Sequence, residues 1–263
     1  MLLEGKKVLV AGVANRSSIA WAVAEAVLRE GGQVALTYQN QRLEQRVRDL
    51  AQSVDPHLPC YELDASSSEQ AAEVADMLAK EWGVLDGLVH SIAFAPKEDL
   101  TPGILKTSLD GWNTALHISA YTLLELTRAM MPLLEKSESG SVLTLTYDTG
   151  KVYPNYNVMG VAKAALEAAM RYACWDAGRK QVRVNAISAG PIKTLAARGI
   201  SGFGNMLDEG SRKSPLGRNV TAEEVGNTAA FLLGPASSGI TGQVVFVDAG
   251  QSIMGVPAAA TTA

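Results

Sequence analysis

The sequence predicts a single α/β domain in which helices cover both faces of one parallel sheet. The chain has 263 residues, of which 47% are hydrophobic and 19% are charged, a balance typical of a globular protein with a large core. Short apolar runs alternate with longer amphipathic stretches along its length. Buried strands separated by helices require right-handed β–α–β crossovers, which place the strands parallel to one another.

The first half of the chain contains four predicted strands and three predicted helices. Each strand is a short apolar or β-branched run, and each helix is a stretch with apolar residues at helical spacing. The strands are predicted at Lys6–Val10, Gln33–Tyr38, Leu58–Leu63 and Gly87–Ser91, and the helices at Ile19–Glu30, Gln41–Val54 and Glu69–Trp82.

The second half continues the alternation. Its helices are predicted at Trp112–Leu134, Asn157–Ala177 and Ala222–Leu233, and its strands at Ser141–Thr146, Val182–Ile187 and Val244–Val247. No linker or internal repeat interrupts the pattern. We therefore assign residues 1–257 to one doubly wound, Rossmann-type domain, and the low-complexity residues 258–263 to a flexible tail.

Composition and charge exclude several classes of protein. No run approaches the roughly 18 apolar residues of a membrane helix, so no membrane association is expected. The apolar run after Lys6 and Lys7 ends at Gly12 without a cleavage site, and a strand explains it better than a signal peptide. Cys60 and Cys174 lack the spacing of a disulfide framework or a metal site, which indicates reducing cytoplasm and no bound metal. A net charge of −4 argues against a nucleic-acid partner.

Ligands in this fold bind beyond the carboxyl ends of the strands, and the first strand ends at a candidate phosphate site. Gly12 is followed by Ser17, Ser18 and Ile19 at the predicted start of a helix. Free helical N–H groups, the positive end of the helix dipole and a serine hydroxyl together suit a pyrophosphate. The segment lacks the GxGxxG pattern, and a plain turn with a serine cap is the competing interpretation.

The next two strand ends carry candidate ligands for the rest of a dinucleotide. No carboxylate follows the second strand, where an NAD-specific fold usually has one, so Gln39 is the candidate ribose ligand. NADH is favoured and NADPH remains possible, because the nearby Arg42 can simply lie in solvent on the next helix. Asp64 ends the third strand and suits either the adenine amino group or a helix cap.

The fourth strand runs into small residues around an aromatic ring. Ala93 and Ala95 would let a flat cofactor approach the backbone, and Phe94 between them would face a substrate. The alternative is a tight loop with Phe94 in the core.

The strongest pattern follows the fifth strand. Tyr156 and Lys163 are seven residues apart, nearly two helical turns, and therefore share one helix face. A nearby ammonium stabilises the hydrogen-bonding and anionic forms of a tyrosine. Such a pair alone is more typical of a solvated surface, but its position at the carboxyl edge of the sheet favours an electrophilic site.

Several segments resemble the NADH-dependent enoyl-[acyl-carrier-protein] reductases of bacterial type II fatty-acid synthesis. The likeness covers nearly the whole chain and is most specific in the segments 156–164 and 183–194, with further similarity at 37–40, 89–96 and 238–242. The broader short-chain dehydrogenase family has a YxxxK motif, whereas position 159 here is Met159. This difference separates the enoyl reductases from the carbonyl-reducing enzymes of the same fold.

The resemblance implies a mechanism and a set of binding residues. Tyr156 would donate a hydrogen bond to the enolate oxygen, and Lys163 would hold the nicotinamide ribose. Tyr147 would line the acyl site and assist proton delivery, although a packing role is equally consistent with the sequence. The implied cofactor ligands are Gly12, Ser18, Ile19, Gln39, Asp64, Ala65, Ser91, Ile92, Ala93, Lys163, Ile192 and Thr194. The implied substrate contacts are Ala93, Phe94, Ala95, Tyr147, Tyr156, Met159, Ala196, Ile200, Phe203 and Met206.

The segment at about residues 194–210 is predicted to be a mobile substrate lid. Three glycines, Gly199, Gly202 and Gly204, weaken any helix there. Ile200, Phe203 and Met206 would form the apolar wall of the acyl site when the lid orders over ligand.

The resemblance also implies an acyl carrier protein as partner and a homotetramer. Relatives often carry basic residues in this lid, but this chain has Ser201, Gly204 and Asn205. Docking of an acidic carrier would then use Arg198, Arg212 or Lys213, or the enzyme would be more tolerant of acyl-CoA.

Two rival functions remain at this point. A carbonyl or alcohol oxidoreductase is disfavoured by Met159, and a cofactor-binding protein without catalysis is disfavoured because Tyr147, Tyr156 and Lys163 occur together.

Overall fold

The computed structural model describes residues 1–101, 103–199 and 202–255. The predicted tail at 258–263 and the lid residue Ile200 lie outside this part of the chain. Within it, seven strands form one sheet: β1 (Lys7–Ala11), β2 (Gln33–Tyr38), β3 (Cys60–Glu62), β4 (Gly87–His90), β5 (Ser141–Thr146), β6 (Arg183–Ala189) and β7 (Val244–Val247).

All neighbouring strands of the sheet pair in parallel, in the order β3-β2-β1-β4-β5-β6-β7. Chain order reverses direction between β1 and β4, which lie side by side with Val8 opposite Gly87. In a doubly wound sheet this switch point opens a crevice at the carboxyl ends of the strands. The predicted fold class is confirmed.

Helices pack on both faces of the sheet. The described α-helices are α1 (Ile19–Arg29), α2 (Gln41–Gln52), α3 (Ser68–Glu81), α4 (Lys97–Leu100), α5 (Leu109–Leu116), α6 (Thr122–Leu134), α7 (Asn157–Gly178), α8 (Phe203–Lys213) and α9 (Ala222–Leu233). Among them, none combines the length and apolarity needed to cross a membrane.

Alternation along β1 divides the core into two layers. Val8 and Val10 pack with α1, α2 and α9 on one face, whereas Leu9 and Ala11 pack with α3, α6 and α7 on the other. Successive strand residues point to opposite faces of the sheet, so a strand that is apolar at every position is buried on both faces. This is the physical basis of the continuous apolar runs in the sequence.

The predicted helix Trp112–Leu134 is wrong as a single element. It begins earlier, at α5, where Ser108 accepts a hydrogen bond from the Gly111 amide at 2.9 Å. It is then interrupted by a π-helical turn at His117–Tyr121 before α6. At this turn the Thr122 hydroxyl donates to the Ile118 carbonyl at 2.7 Å and competes with the regular backbone pattern.

The predicted lid, at about residues 194–210, contains more helical structure than its three glycines led us to expect. A 3₁₀ turn occupies Ala196–Gly199, and α8 begins at Phe203. Gly202 has a left-handed φ of 75° at the position just before α8, and Gly204 lies in its first turn. These glycines therefore mark the start of the helix rather than weaken its interior.

Candidate active site

The turn after β1 lies directly against the end of β4. Gly12 has a φ of 99°, and a Cβ added there would lie 2.2 Å from the Ser91 carbonyl oxygen. Only glycine fits, because both the backbone conformation and the space exclude a side chain. The turn after β1 is thus packed directly against the end of β4 at the switch point, the part of this fold where dinucleotides bind.

The predicted phosphate site sits at the start of α1, at the same crevice. Ser18 is the N-cap, but its hydroxyl donates to the Asn15 carbonyl rather than capping the helix. The Ser17 amide donates to the Asn15 side chain at 2.8 Å. The amides of the first helical turn, beginning at Ile19, therefore remain the main donors for an anion here.

The candidate adenosine ligands lie along the ends of β2 and β3. Gln39 is exposed, and the next residue, Asn40, caps α2 by accepting from the Arg42 amide at 3.1 Å. Asp64 accepts from both the amide and the hydroxyl of Ser66, at 3.0 and 2.7 Å.

The cap of the following helix is a different residue from the one the sequence suggested. Ser67, not Asp64, caps α3 by accepting from the Gln70 amide at 3.2 Å. The neighbouring Ala65 is buried. The Asp64 carboxylate instead closes a tight turn at the end of β3.

The loop after β4 presents an aromatic ring to solvent. Phe94 is 51% exposed, so the alternative of a core phenylalanine is wrong. The Ser119 hydroxyl fixes its backbone, accepting from the Phe94 amide and donating to its carbonyl, both at 3.0 Å. Ile92 and Ser91 are half-buried, and Ala93 is exposed.

Two predicted substrate contacts are core residues. Ala95 and Met159 are 8% and 7% exposed and belong to one buried cluster with Leu100, Ala115 and Val158. Tyr156 packs against this cluster from its edge. Met159 is therefore a core residue of the cluster on which Tyr156 packs.

Three tyrosines meet where β5 ends and α7 begins. Tyr156 occupies the N-cap of α7. Its ring centroid lies 5.4 Å from that of Tyr147, which in turn lies 4.7 Å from that of Tyr153 in an edge-on arrangement. The start of α7 is fixed by the Asn157 side-chain amide, which donates to the Leu100 carbonyl. The rings of Tyr147 and Tyr156 thus lie next to each other, and the role of Tyr147 in the acyl site stays a prediction.

The electrostatics of Tyr156 are dominated by burial. Burial, reinforced by Tyr147, raises the pKa of Tyr156 above its ordinary value. Lys163 is not among the causes of this shift, and stabilisation of Tyr156 by its ammonium stays a prediction. Tyr156 stays protonated and is suited to donate a hydrogen bond.

Lys163 lies on the buried face of α7, 6% exposed. Its Nζ donates to the Leu145 carbonyl of β5 at 2.7 Å. Burial lowers the pKa of Lys163 to about 8, and the carboxylate of Glu167 partly opposes this shift. An ammonium has three N–H groups, and one of them is bound to the Leu145 carbonyl. The others are available to the hydroxyls of a ribose, as far as the described residues show. The residues present fit a nicotinamide dinucleotide.

The remaining predicted residues follow β6. Ile192 packs against the core, and the Thr194 hydroxyl accepts from the Ala197 amide at 3.1 Å at the start of the 3₁₀ turn. Phe203 and Met206 are half-buried on α8. Ile200 and the side chain of Ala196 lie outside the described residues.

Sequence reasoning missed several residues of this site. A small cleft beside Tyr147 is lined by Asp148, Tyr153, Ser188, Ala189, Gly190, Asp248 and Gln251. The Tyr153 hydroxyl donates to Asp148 at 2.9 Å. Glu167 is buried one helical turn beyond Lys163, and its i,i+4 spacing from Lys163 was the signal in the sequence that would have found it.

Comparison with known proteins identifies the relatives of this chain. A family model described as enoyl-(acyl carrier protein) reductase matches residues 12–252. The enoyl-[acyl-carrier-protein] reductase [NADH] of Aquifex aeolicus is 46% identical over 97% of this chain and 94% of its own length. The crystal structure of that enzyme covers 97% of this chain and all of its own, with a TM-score of 0.94.

Two further solved structures carry cofactors. The Anaplasma phagocytophilum reductase in complex with NAD is 44% identical, covers 98% of both chains and has a TM-score of 0.93. The Bacillus cereus reductase with NADP+ and an indole naphthyridinone is 42% identical, covers 97% of this chain and 99% of its own, and has a TM-score of 0.94. These matches span the sheet, the crevice and α7 together, and the chain belongs to the enoyl-[acyl-carrier-protein] reductase family.

Proposed function

We propose that this chain reduces the carbon–carbon double bond of trans-2-enoyl thioesters on acyl carrier protein with NADH, the last reductive step of fatty-acid elongation in the cytoplasm. The observation that carries the proposal is a protonated, half-buried Tyr156 beside Tyr147, on the same helix as the buried Lys163. Membership of the family supplies the reaction class.

The reaction needs stabilisation of a developing negative charge. When bound, NADH would supply a hydride to the β-carbon and leave as NAD+, which places negative charge on the thioester oxygen as an enolate. Protonation of the α-carbon then gives the saturated thioester. The Tyr156 hydroxyl would donate to that oxygen, and one preorganised donor of this kind typically contributes about 3–4 kcal/mol. Lys163 orients the ribose, and Tyr147 lines the acyl site beside Tyr156.

NADH is the proposed cofactor, with NADPH as a weaker alternative. The Aquifex relative is named for NADH, and the Anaplasma structure contains NAD. The Bacillus cereus structure contains NADP+, so the family also accommodates that cofactor. In this chain the exposed Gln39 follows β2 without an adjacent acid.

An assay of cofactor oxidation tests the function. Purified enzyme should oxidise NADH when a crotonyl or longer enoyl thioester is added, and more slowly with NADPH. Matched ketone substrates should give no turnover. Turnover of ketones alone would favour the carbonyl-reducing alternative, and binding of NADH without turnover of either substrate would favour a non-catalytic protein.

We further propose that residues 194–210 act as a substrate lid. The segment carries half-buried apolar side chains at Phe203 and Met206 and begins α8 after the left-handed Gly202. Amide hydrogen exchange across the segment should slow when NADH and an enoyl-thioester analogue bind together. Equal exchange with and without ligand would contradict the lid.

The carrier protein is proposed to dock at the end of α8. Arg212 and Lys213 occupy its last turn, with Arg212 exposed. The side chain of Arg198 lies outside the described residues. Replacing Arg212 and Lys213 by glutamate should raise KM for the enoyl carrier protein severalfold and leave KM for the same chain on CoA unchanged. An equal effect on both substrates, or no salt dependence, would contradict electrostatic docking.

A homotetramer is proposed because aromatic side chains are exposed on the second half of α7 and on β7. Tyr172 and Trp175 on α7 are 77% and 67% exposed, and Phe246 on β7 is 47% exposed. Such patches are typical of subunit interfaces. Sedimentation velocity should show a tetramer, and Trp175→Glu should shift it to smaller species. A monomer for the wild-type protein would refute the proposal.

A further inference from the structure

Glu167 is a buried carboxylate that the roles assigned so far do not use. It lies on α7, one turn beyond Lys163, and is 8% exposed. One oxygen accepts from the Thr146 hydroxyl at 2.9 Å, and the other accepts from the Thr149 hydroxyl at 3.0 Å. Both oxygens of a single side chain are therefore bound to the segment that leaves β5.

The two threonines flank Tyr147. Thr146 is the last residue of β5, and Thr149 lies two residues beyond Tyr147 in the loop that leads to Tyr156. The loop is otherwise irregular from 147 to 156. Glu167 thus joins the segment carrying Tyr147 to the helix that carries Lys163 and begins at Tyr156.

Burying a carboxylate at this position carries a desolvation penalty that a purely structural contact would not require. Burial of a charge is unfavourable unless hydrogen bonds compensate it, and an apolar residue of similar size often packs as well or better. The carboxylate offers two acceptors in a fixed geometry, which an apolar or amide side chain does not. Its benefit is therefore expected in the geometry of the site.

The charge of Glu167 also acts on Lys163. The Lys163 ammonium faces the Leu145 carbonyl of β5 and the imidazole of His90 on β4. His90 is neutral, because burial lowers its pKa to about 3. Glu167 raises the pKa of Lys163 against the effect of burial. An assay of how Glu167 positions the loop must therefore be run at a pH well below the pKa of Lys163, so that the effect of Glu167 on that pKa matters least.

We propose that Glu167 is a positioning residue for the reaction, whose carboxylate holds the Tyr147 segment against α7 and so fixes Tyr147 relative to Tyr156. The proposal rests on the proposed function. The carboxylate of Glu167 attaches the loop that carries Tyr147 to α7, so that the loop is held by the helix as well as by β5.

The main variant is Glu167→Gln, assayed at about pH 6.5, well below the pKa of about 8 that Lys163 has in the wild-type enzyme. A glutamine has one acceptor oxygen, so one of the two threonine hydroxyls loses its partner. We expect kcat with an enoyl thioester to fall about tenfold and the Kd for NADH from fluorescence titration to change less than about twofold. Amide exchange of the peptide covering 147–156 in the ligand-free enzyme should rise.

Glu125→Gln is the matched control. Glu125 is also a buried carboxylate, 9% exposed on α6, and accepts from the Ser68 hydroxyl at 3.0 Å far from Tyr147. It should leave exchange at 147–156 unchanged. If both variants slow turnover alike, or if Glu167→Gln alters neither kcat nor exchange at 147–156, the positioning role is refuted.

A second pair keeps the test decisive if Glu167→Gln does not fold. Thr149→Val removes one donor from the half-buried loop, and Thr149→Ser restores it. The valine variant should show raised exchange and reduced kcat, and the serine variant should recover both. Failure of the wild-type enzyme to turn over enoyl thioesters would reject the proposed function, whereas the exchange measurements still judge the role of Glu167.

Discussion

The two halves of the crevice are built by different means. Around β1, α1 and β4 the site consists of backbone and small side chains, with Gly12 pressed against the Ser91 carbonyl. Around β5 and α7 it consists of polar side chains, among them the half-buried Tyr156 and the buried Lys163 and Glu167. The first half has no room for a side chain where the β1 turn meets the end of β4. The second half supplies donors whose protonation is set by burial.

This difference separates binding from chemistry along the sheet. Changes that add atoms in the first half should weaken NADH binding. Changes that remove a polar group in the second half should reduce turnover or alter its pH dependence and leave the fold largely intact. Lys163 acts on both binding and turnover, because it is proposed to hold the ribose. The comparison fails if loss of the Tyr156 hydroxyl weakens NADH binding as much as an added Cβ at Gly12 does.

The largest expected effect is that of Tyr156→Phe. The phenyl ring keeps its contact with Tyr147 and the cluster around Met159, but the hydroxyl donor is lost. We expect kcat to fall about 100- to 1,000-fold, the range for loss of one oxyanion donor. NADH affinity should be unchanged. Tyr172→Phe, on the exposed face of the same helix, should be indistinguishable from wild type. A wild-type rate for Tyr156→Phe would eliminate it as the donor.

Gly12→Ala should have the next largest effect, and its effect should be on the binding of NADH. The added Cβ would overlap the Ser91 carbonyl, so the β1 turn and the end of β4 must move apart. We expect a loss of about 2 kcal/mol or more in the free energy of unfolding and a large loss of NADH affinity. Urea unfolding and fluorescence titration measure the two quantities.

Gly5→Ala is the matched control for Gly12→Ala. Gly5 also has a left-handed φ, 69°, but no atom lies within 4 Å of an added Cβ. It should cost only the backbone strain, about 1 kcal/mol, and leave NADH affinity unchanged. Equal losses in the two variants would show that backbone conformation, rather than the close approach to Ser91, matters at Gly12.

The two halves also differ in how well the sequence predicted them. The sheet was predictable because runs such as Val8–Val10 are apolar on both faces, and the switch point follows from strand order. Gly12 was therefore found from topology. Tyr156 and Lys163 were found from spacing on a helix. Their protonation states were not, because burial acts through the tertiary packing around them.

Other features were hidden for related reasons. The spacing of Glu167 from Lys163 indicates that the two share a helix face, but its hydrogen bonds to Thr146 and Thr149, 21 and 18 residues away, follow no local pattern. The π-helical turn before Thr122 depends on a side-chain hydrogen bond to Ile118 that also places Thr122 against His90 at 2.9 Å. In both cases a polar residue bonds across elements, where periodicity carries no information.

Lys163 should produce an alkaline limb in the pH profile. Its pKa is lowered to about 8 by burial, so the ammonium is present below this pH and is lost as the pH rises through it. Then kcat/KM for NADH should fall by about tenfold per pH unit above pH 8. Tyr156 cannot produce this limb, because burial raises its pKa above the ordinary value. The limb should be absent in Lys163→Gln, and its persistence there would assign it to another group.

The same shift has the opposite sign for stability. The unfolded chain binds the Lys163 proton more tightly than the folded one, so between about pH 8 and the ordinary lysine pKa this group makes folding more favourable as the pH rises. A rise in the free energy of unfolding over that interval, absent in Lys163→Gln, would show that the activity loss is not due to unfolding.

The smallest expected effect is that of Gln39→Ala, in the binding half. The side chain is exposed at the end of β2, and Asn40 rather than Gln39 caps α2. It can contribute about one exposed hydrogen bond to the ribose, so NADH affinity should fall only about threefold with kcat unchanged. The Arg42→Ala change, three residues further along the chain, should have even less effect on NADH affinity. A loss at Gln39 as large as that at Gly12 would mean that side-chain contacts dominate cofactor binding after all, and the division between a binding half made of backbone and a chemical half made of side chains would have to be abandoned.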